Sequence, residues 1–322
     1  MEIPTKKRMQ IFSGRGYPEL AEEVADHLGM RLGDVEIHDF ANGEIYVRYR
    51  QNIRGSDVFV IQSCAPPVNA NLFEQLIMID AAKRASAKRI TAVVPSYPYS
   101  RQDKKGRSRE PITARLVADM LTVAGADRIV SVNLHTGQLQ GFFDYPLDHL
   151  TALPLLTGWV DQNWPDEEVV VVSPDAGGVR QAEKFQRQLT NASMAFIAKT
   201  RTEHNIAKTL GVVGDVEGRT CVLVDDMIDT AGTLVGAAEA LVARGARRVL
   251  ACATHPVLSP PALERLETAP IERIAVTNTL PLPEGKRLDK IEVCSIAPIV
   301  ASTMKAIFED ESVSELFNDQ NQ

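Results

Sequence analysis

Short β-branched runs alternate with stretches of helical periodicity along almost the whole chain, and this alternation limits the possible folds more than any other feature. The strand-like runs are VFVIQS (58–63), RITAVV (89–94), RIVSVNL (128–134), EVVVVS (168–173), CVLV (221–224) and RRVLACAT (247–254). Apolar strands separated by helices suit a parallel sheet, because each parallel neighbour needs a crossover and both sheet faces are then covered. NLFEQLIMIDAAKR and LVADMLTVAGA carry apolar residues at three-to-four spacing, and Gly125 suits the stop of the second helix. The expected class is α/β, each domain holding a mainly parallel sheet flanked by helices.

The two halves repeat. ADMLTVAGADRIVSVNLH (118–135) aligns without gaps onto AEALVARGARRVLACATH (238–255), an offset of 120 residues. TAVVPSY (91–97) echoes TCVLVDD (220–226) at an offset of 129, so the intervening loop is nine residues longer in the first half. Two βα units share such a pattern by chance as well as by descent, but the gapless match favours duplication. At 322 residues the chain exceeds one hydrophobic core. Two related α/β domains are expected, at 9–150 and 151–322.

Composition narrows the function classes. A net charge of −7 argues against a general nucleic-acid binder, which needs a basic face to displace counterions. The first residues, MEIPTKKRMQIFSGRG, hold no apolar leader, and no stretch approaches eighteen uninterrupted apolar residues. Neither export nor a membrane span is expected, and a cytoplasmic protein is. Cys64, Cys221, Cys252 and Cys294 are widely spaced and form no C-x-x-C, as expected of small core residues in a reducing compartment.

Ligands of open parallel sheets bind beyond the carboxyl ends of the strands, and the chemistry-bearing residues lie there. VLVDDMIDTAGT (222–233) places Asp225 and Asp226 after an apolar run and before the helical LVGAAEALVARG. This strand–loop–helix order excludes the helical D-D-x-x-D magnesium motif of prenyl-transferring enzymes. Asp229, Thr230, Ala231, Gly232 and Thr233 offer N–H groups and hydroxyls at a helix N-terminus, a ready phosphate site. The paired acids can accept hydrogen bonds from hydroxyls, so a sugar phosphate would satisfy both ends. The competing reading is a solvated acidic turn with ordinary capping. There is no Walker A or G-x-G-x-x-G sequence to suggest a standard mononucleotide or dinucleotide fold.

The longer first-half loop, RQDKKGRSREP (101–111), gathers Arg101, Lys104, Lys105, Arg107 and Arg109 in an acidic protein. It reads either as a solvated charge run or as a polyphosphate site. His135 ends SVNLH and Asp175 follows VVVVSPDAGG; the two suit a divalent cation, or a structural role of the kind expected for His255. AKTRTEHNIAKTLGVVGDVEG (198–218) is poor in large apolar residues. It reads as a surface loop, or as a mobile flap with Lys199 and Arg201 at its root.

FANGE, NIRGSDVFVIQS, RQDKKGRSREPITA, LHTGQLQGFFD, VVSPDAGG, VLVDDMIDTAGT, CATHPVLS and SVSELF together resemble the ribose-phosphate diphosphokinases of the phosphate-activated class over nearly the whole chain. VDDMIDTAGT alone says only phosphoribosyltransferase-type fold; RQDKK…REPITA with the His135 segment is specific to the synthetases. The resemblance implies two duplicated phosphoribosyltransferase-like domains that use ATP and ribose 5-phosphate to make AMP and 5-phosphoribosyl 1-diphosphate. It places Asp225 and Asp226 at the ribose hydroxyls and residues 229–233, with Arg201, at the 5-phosphate. It gives ATP to Arg101 and Gln102, Mg2+ to His135 and Asp175, and the transferring group to Lys199 and Arg201. Phe40, Asn42, Gly43 and Glu44 would meet the adenine bound by a neighbouring subunit. A homo-oligomer is implied, a hexamer built from dimers, with inorganic phosphate and ADP as effectors and Ser312 and Ser314 lining the regulatory site.

The sequence departs from the family pattern at three places. Asn42 replaces the common aspartate of F-x-D-G-E, which leaves Glu44 as the principal adenine-side acid. Asn133 stands where an acid is often found, and KTRTEHN is less basic than the usual K-R-R flap. Two rival readings belong to other classes. A nucleobase phosphoribosyltransferase would keep VDDMIDTAGT but has no use for the basic loop. A catalytically silent regulatory subunit would be expected to lose residues among Lys199, Arg201, Asp225 or His135, all of which stand here.

Overall fold

The computed structural model describes residues 7–200, 209–282 and 288–317. The chain divides into two compact units: the first is Met1–Thr151 together with Ile296–Gln322, and the second is Ala152–Ser295. The first unit runs β1 (Met9–Ser13), α1 (Pro18–His27), β2 (Val35–Asp39), β3 (Ile45–Tyr49), β4 (Asp57–Ile61), α2 (Val68–Arg84), β5 (Arg89–Val93), α3 (Thr113–Ala124), β6 (Arg128–Val132) and β7 (Leu147–Leu150). The second runs α4 (Leu153–Asn163), β8 (Val169–Ser173), α5 (Val179–Gln188), β9 (Ala192–Thr200), β10 (Thr209–Val213), β11 (Thr220–Ile228), α6 (Gly232–Ala243), β12 (Arg248–Pro256), α7 (Ala262–Thr268), β13 (Arg273–Thr277) and β14 (Ile291–Cys294). Helix α8 (Ala297–Glu309) then rejoins the first unit.

The first sheet has the order β1-β4-β5-β6-β7, and each adjacent pair is parallel. Every residue of β4, DVFVI, is buried, as a strand covered on both faces requires. The second sheet has the order β10-β9-β8-β11-β12-β13-β14 and is parallel except at β10, which runs antiparallel to β9. The six strand-like runs of the sequence are β4, β5, β6, β8, β11 and β12. The internal repeat falls on α3–β6 and α6–β12, and β5-β6-β7 and β11-β12-β13 are consecutive neighbours in their sheets. Gly125 ends α3 at φ +117°, a left-handed conformation that glycine adopts without steric cost.

The chain leaves the second unit at Ser295, which corrects the expectation of a second domain reaching residue 322. α8 packs on α1 and buries Val300, Met304 and Ile307. Each side chain of that kind contributes about 1.5–3 kcal/mol when fully buried. Arg89 holds the helix end by donating to the Ile307 carbonyl (3.0 Å) and to Asp310 (3.1 Å). The periodicity of α8 shows that it has an apolar face but not which sheet layer will cover it.

A second difference concerns β11. The strand runs on to Ile228, so Asp225 and Asp226 are strand residues rather than loop residues. Its ladder to β12 continues through Ile228↔Pro256, whereas its ladder to β8 stops at Leu223↔Val172. Beyond Leu223 the strand therefore has a neighbour on one side only, and the acids sit where the sheet opens.

Candidate active-site loops

In the second unit, β11 passes through Asp229 and Thr230 into α6, with Ala231 as the N-terminal flanking residue at φ +60°. The N-terminal flanking residue of α6 makes no side-chain cap, and the N–H groups of the first turn have no intrahelical acceptor. Thr230, Gly232 and Thr233 are exposed at this end. Arg265 braces the loop from α7, its Nη1 donating to the Thr230 carbonyl over 2.9 Å. A Cβ on Gly232 would stand 3.2 Å from that guanidinium nitrogen, so the brace crosses close over the helix start. The result is a fixed, outward-facing set of donors suited to a phosphate.

Asp225 and Asp226 are partly buried beside it. The Asp226 N–H donates to Asp225 Oδ1 over 2.9 Å. Burial pushes the Asp225 carboxyl well above the ordinary carboxylate range, and the charges of Asp226 and Asp175 push it the same way. Asp175 follows β8 in a tight turn: its Oδ1 accepts from the N–H groups of Gly177 (2.8 Å) and Gly178 (3.1 Å), and Ser173 Oγ donates to its carbonyl (2.6 Å). Three carboxylates are thus held within electrostatic reach of one another. Hydroxyl donors or a cation would relieve that potential.

In the first unit, residues 101–111 form an irregular loop between β5 and α3 whose five cations are all exposed. Its ends are tied. The Gln102 N–H donates to the Tyr99 carbonyl (2.9 Å), and Gln102 Oε1 accepts from Thr113 Oγ1 (2.5 Å). Glu110 receives the N–H groups of Gly106 and Arg107, both at 2.8 Å, and so closes the loop internally. Arg101, Gln102, Lys104 and Glu110 line a cavity of about 460 Å³. His135 is exposed beyond β6. The adjacent Thr136 donates from Oγ1 to Asp103 Oδ2 over 2.9 Å, tying the histidine segment to the basic loop. On the other side, His149 Nε2 accepts the Leu134 N–H at 2.9 Å. His255, the counterpart of His135 in the repeat, is buried, and its Nδ1 meets Thr279 Oγ1 at 2.9 Å. Its burial contrasts with the exposure of His135.

The β2–β3 hairpin is a two-stranded sheet of its own, and Phe40, Asn42, Gly43 and Glu44 form its exposed turn. The Phe40 N–H donates to the Glu44 carbonyl, and the Gly43 N–H to the Phe40 carbonyl, both at 2.8 Å. Asn42 Oδ1 accepts the Glu44 N–H at 3.1 Å, so the amide supplies the acceptor that an aspartate would place there. Phe40 is 50% exposed and meets the rings of His38 and Tyr46 edge-on.

The expected flap is in part regular structure. β9 and β10 are antiparallel, Thr200 opposite Thr209 and Lys199 opposite Leu210. Lys199 therefore lies on a strand, and Arg201 lies outside the described residues. Ser312 is exposed and Ser314 half-buried after α8. No set of three or more metal-binding side chains converges among the described residues, and no helix there is long and apolar enough to cross a membrane. The four cysteines are free.

Sequence reasoning missed Asp103, His149 and Arg265, which hold the loops from behind. Asp103 was visible as the one acid early in a basic run. Nothing local marked the other two.

Strand-end acids leading into a helix start, on a mainly parallel α/β sheet, make an arrangement suited to a ligand that carries both hydroxyls and a phosphate. Residues 9–125 match the N-terminal domain of ribose phosphate pyrophosphokinase, and residues 168–318 match the phosphoribosyl synthetase-associated domain. A ribose-phosphate pyrophosphokinase of Mycobacterium leprae is 58% identical, covering 97% of this chain and 96% of its own. One of Clostridium acetobutylicum is 50% identical over 98% of both chains. The crystal structure of phosphoribosylpyrophosphate synthetase from Mycobacterium smegmatis superposes with a TM-score of 0.91 at 55% identity, covering 94% of this chain and 100% of that one. The chain belongs to the ribose-phosphate pyrophosphokinase family.

Proposed function

We propose that the chain performs the family's reaction with ribose 5-phosphate held by residues 225–233 and ATP held by the Arg101 loop and the Phe40–Glu44 turn. The diphosphoryl group of ATP passes to the anomeric hydroxyl of the sugar, giving 5-phosphoribosyl 1-diphosphate and AMP. Asp225 and Asp226 accept hydrogen bonds from the ribose hydroxyls. The donors of Asp229, Thr230, Ala231, Gly232 and Thr233, with Arg201, receive the 5-phosphate. Arg101 and Gln102 bind ATP, and Phe40, Asn42, Gly43 and Glu44 meet its adenine from a neighbouring subunit. Lys199 and Arg201 offset charge on the transferring group as the hydroxyl attacks the β-phosphorus and AMP leaves. Catalysis of this kind is positioning and neutralisation, with little covalent chemistry for the protein to supply.

The observation that carries this reading is the combination, at the open end of β11, of two carboxylates with an uncapped helix start. One ligand satisfies both, and it has hydroxyls at one end and a phosphate at the other. His135 and Asp175 would hold Mg2+. The donor chemistry supports this: Asp175 is a hard oxygen ligand, and its charge, after burial and the charge of Asp226, helps to raise the nearby Asp225 carboxyl. The ion would neutralise the triphosphate. A homo-oligomer, a hexamer built from dimers, with inorganic phosphate and ADP as effectors near Ser312 and Ser314, is supported by family resemblance, as is a cytoplasmic location.

Phosphorus NMR of the protein with ATP, magnesium and ribose 5-phosphate tests the reaction. AMP appearing together with a new diphosphate ester is expected. ADP, or unchanged substrates, would contradict it.

A further inference from the structure

The β2–β3 hairpin is held to the first unit differently at its two ends. At the end near Val35 and Tyr49, the Tyr49 hydroxyl donates to the Met78 carbonyl of α2 (2.9 Å), and its ring packs edge-on against Phe12 at 4.6 Å. At the far end, next to Phe40, a cavity of about 350 Å³ lined by Arg15, Asp39, Gly43, Ile45 and Asn71 takes the place of apolar packing. A two-stranded hairpin has little stability of its own, so the direction of its tip must be set from outside.

Arg15 crosses that gap. Its Nη2 donates to Asp39 Oδ1 at 2.7 Å and its Nη1 to Asp39 Oδ2 at 3.3 Å, a forked contact that fixes direction as well as distance. Asp39 is the last residue of β2 and adjoins Phe40. The other end of Arg15 is anchored in the body of the unit. Its Nε donates to Glu74 Oε2 and its N–H to Glu74 Oε1, both at 2.6 Å. The Glu74 side chain is only 2% exposed and also accepts from Gln62 Nε2 at 2.9 Å. Gln62 Oε1 in turn takes the Gly16 N–H at 2.9 Å. A Cβ on Gly16 would stand 2.3 Å from the Ser63 carbonyl, so the turn carrying Arg15 is seated without room to shift. The guanidinium also holds the Asp39 carboxyl below the usual carboxylate range.

We propose that Arg15 is a positioning residue for the nucleotide side of the reaction: acting through Asp39, it sets the direction in which the Phe40–Glu44 turn is presented. This rests on the reading of that turn as the adenine contact. The one cation of the strut is already paired with both of its anions, so it serves as a brace and not as an anion site. It explains why a chain that carries its adenine-binding aromatic on a thin hairpin spends a buried glutamate at the foot of that hairpin.

Steady-state kinetics of Asp39→Asn, Arg15→Lys, Arg15→Met, the double variant Arg15→Met/Asp39→Asn and Phe40→Ala test the proposal. Asp39 lies at the exposed end of the strut, its side chain 52% exposed, so Asp39→Asn keeps the fold. It is expected to raise the KM for ATP roughly three- to tenfold, the equivalent of about one ordinary hydrogen bond because an exposed contact acts at one remove, with the KM for ribose 5-phosphate within about twofold. Arg15→Met raises it at least as much, Arg15→Lys restores part of the loss, and the double variant is no worse than Arg15→Met, because both changes break one link. If Phe40→Ala raises the KM for ATP while Asp39→Asn and Arg15→Met leave it unchanged, the turn meets the nucleotide but Arg15 does not aim it, and the proposal fails. If the two strut variants act additively or shift both substrates alike, it fails as well. If Phe40→Ala itself leaves the KM for ATP unchanged, the adenine reading fails first.

Discussion

Thr136 Oγ1 donates a hydrogen bond of 2.9 Å to Asp103 Oδ2, joining the segment that carries His135 to the loop that carries Arg101. Two segments far apart in sequence are thereby held in one relation, and the link uses an acid embedded among cations. Thr136→Val keeps the shape and removes the donor. Its expected effect is a loss of roughly 1 kcal/mol, about fivefold in the KM for ATP, with ribose 5-phosphate little changed. Equal KM values for wild type and variant would show that the two segments hold their places independently.

The raised Asp225 carboxyl makes a prediction about stability. A carboxyl whose pKa is higher in the folded state binds its proton more tightly there than in the unfolded chain. The folded state is therefore penalised progressively as pH rises from the ordinary carboxylate range toward and through the raised folded value. Asp225→Asn removes the charge and retains an Oδ1 acceptor for the Asp226 N–H. In the absence of ligands and metal, the variant should match wild type near pH 4 and exceed it at neutral pH. The gain should be roughly 1–3 kcal/mol, each tenfold change in proton affinity being worth about 1.4 kcal/mol. Denaturant unfolding across that range checks it. A gain independent of pH would place its origin outside the carboxyl charge.

Lys199, on β9 before the undescribed residues 201–208, is expected to act mainly when charge moves. Lys199→Ala should lower turnover roughly a hundredfold or more with little change in ribose 5-phosphate affinity. If adenine is met by a neighbouring subunit, Glu44→Ala and Lys199→Ala damage opposite sides of one site. Unfolding, mixing and refolding the two variants should then recover part of wild-type activity, bounded by statistical assembly. Recovery no better than the average of the separate variants, with subunit exchange demonstrated, would confine each site to one chain.

The sheet strands were legible because a parallel strand covered on both faces must be apolar throughout, as DVFVI in β4 and VVVVS in β8 are. The repeated α3–β6 and α6–β12 units were legible for the same reason, with Gly125 marking a turn only a few residue types accept. The return of α8 to the first unit was not, because an apolar helix face does not name its partner. The extension of β11 past CVLV was hidden by its acids: local propensity disfavours aspartate in a strand, but the ladder to β12 carries it through. In the candidate site, the residues expected to meet ligands stand out by type and by place after a strand. Residues that brace the loops and turns from behind, such as Arg15, Glu74 and Arg265, became visible only through long-range hydrogen bonds.

The central claim is that the two substrates have separate seats, the sugar phosphate at β11 and ATP at the basic loop. The most direct test is the pair of KM values for each substrate in Asp226→Ala and Arg101→Ala. Asp226→Ala loses a hydroxyl partner and should weaken ribose 5-phosphate by about 1–3 kcal/mol while sparing ATP. Arg101→Ala loses a charge-assisted contact and should weaken ATP by a similar amount, about 1.5–3 kcal/mol, while sparing the sugar. A crossed pattern is the predicted result. If both variants weaken the same substrate, or if Asp226→Ala weakens ATP alone, the acids at β11 are not the seat of the sugar and the division of labour is wrong.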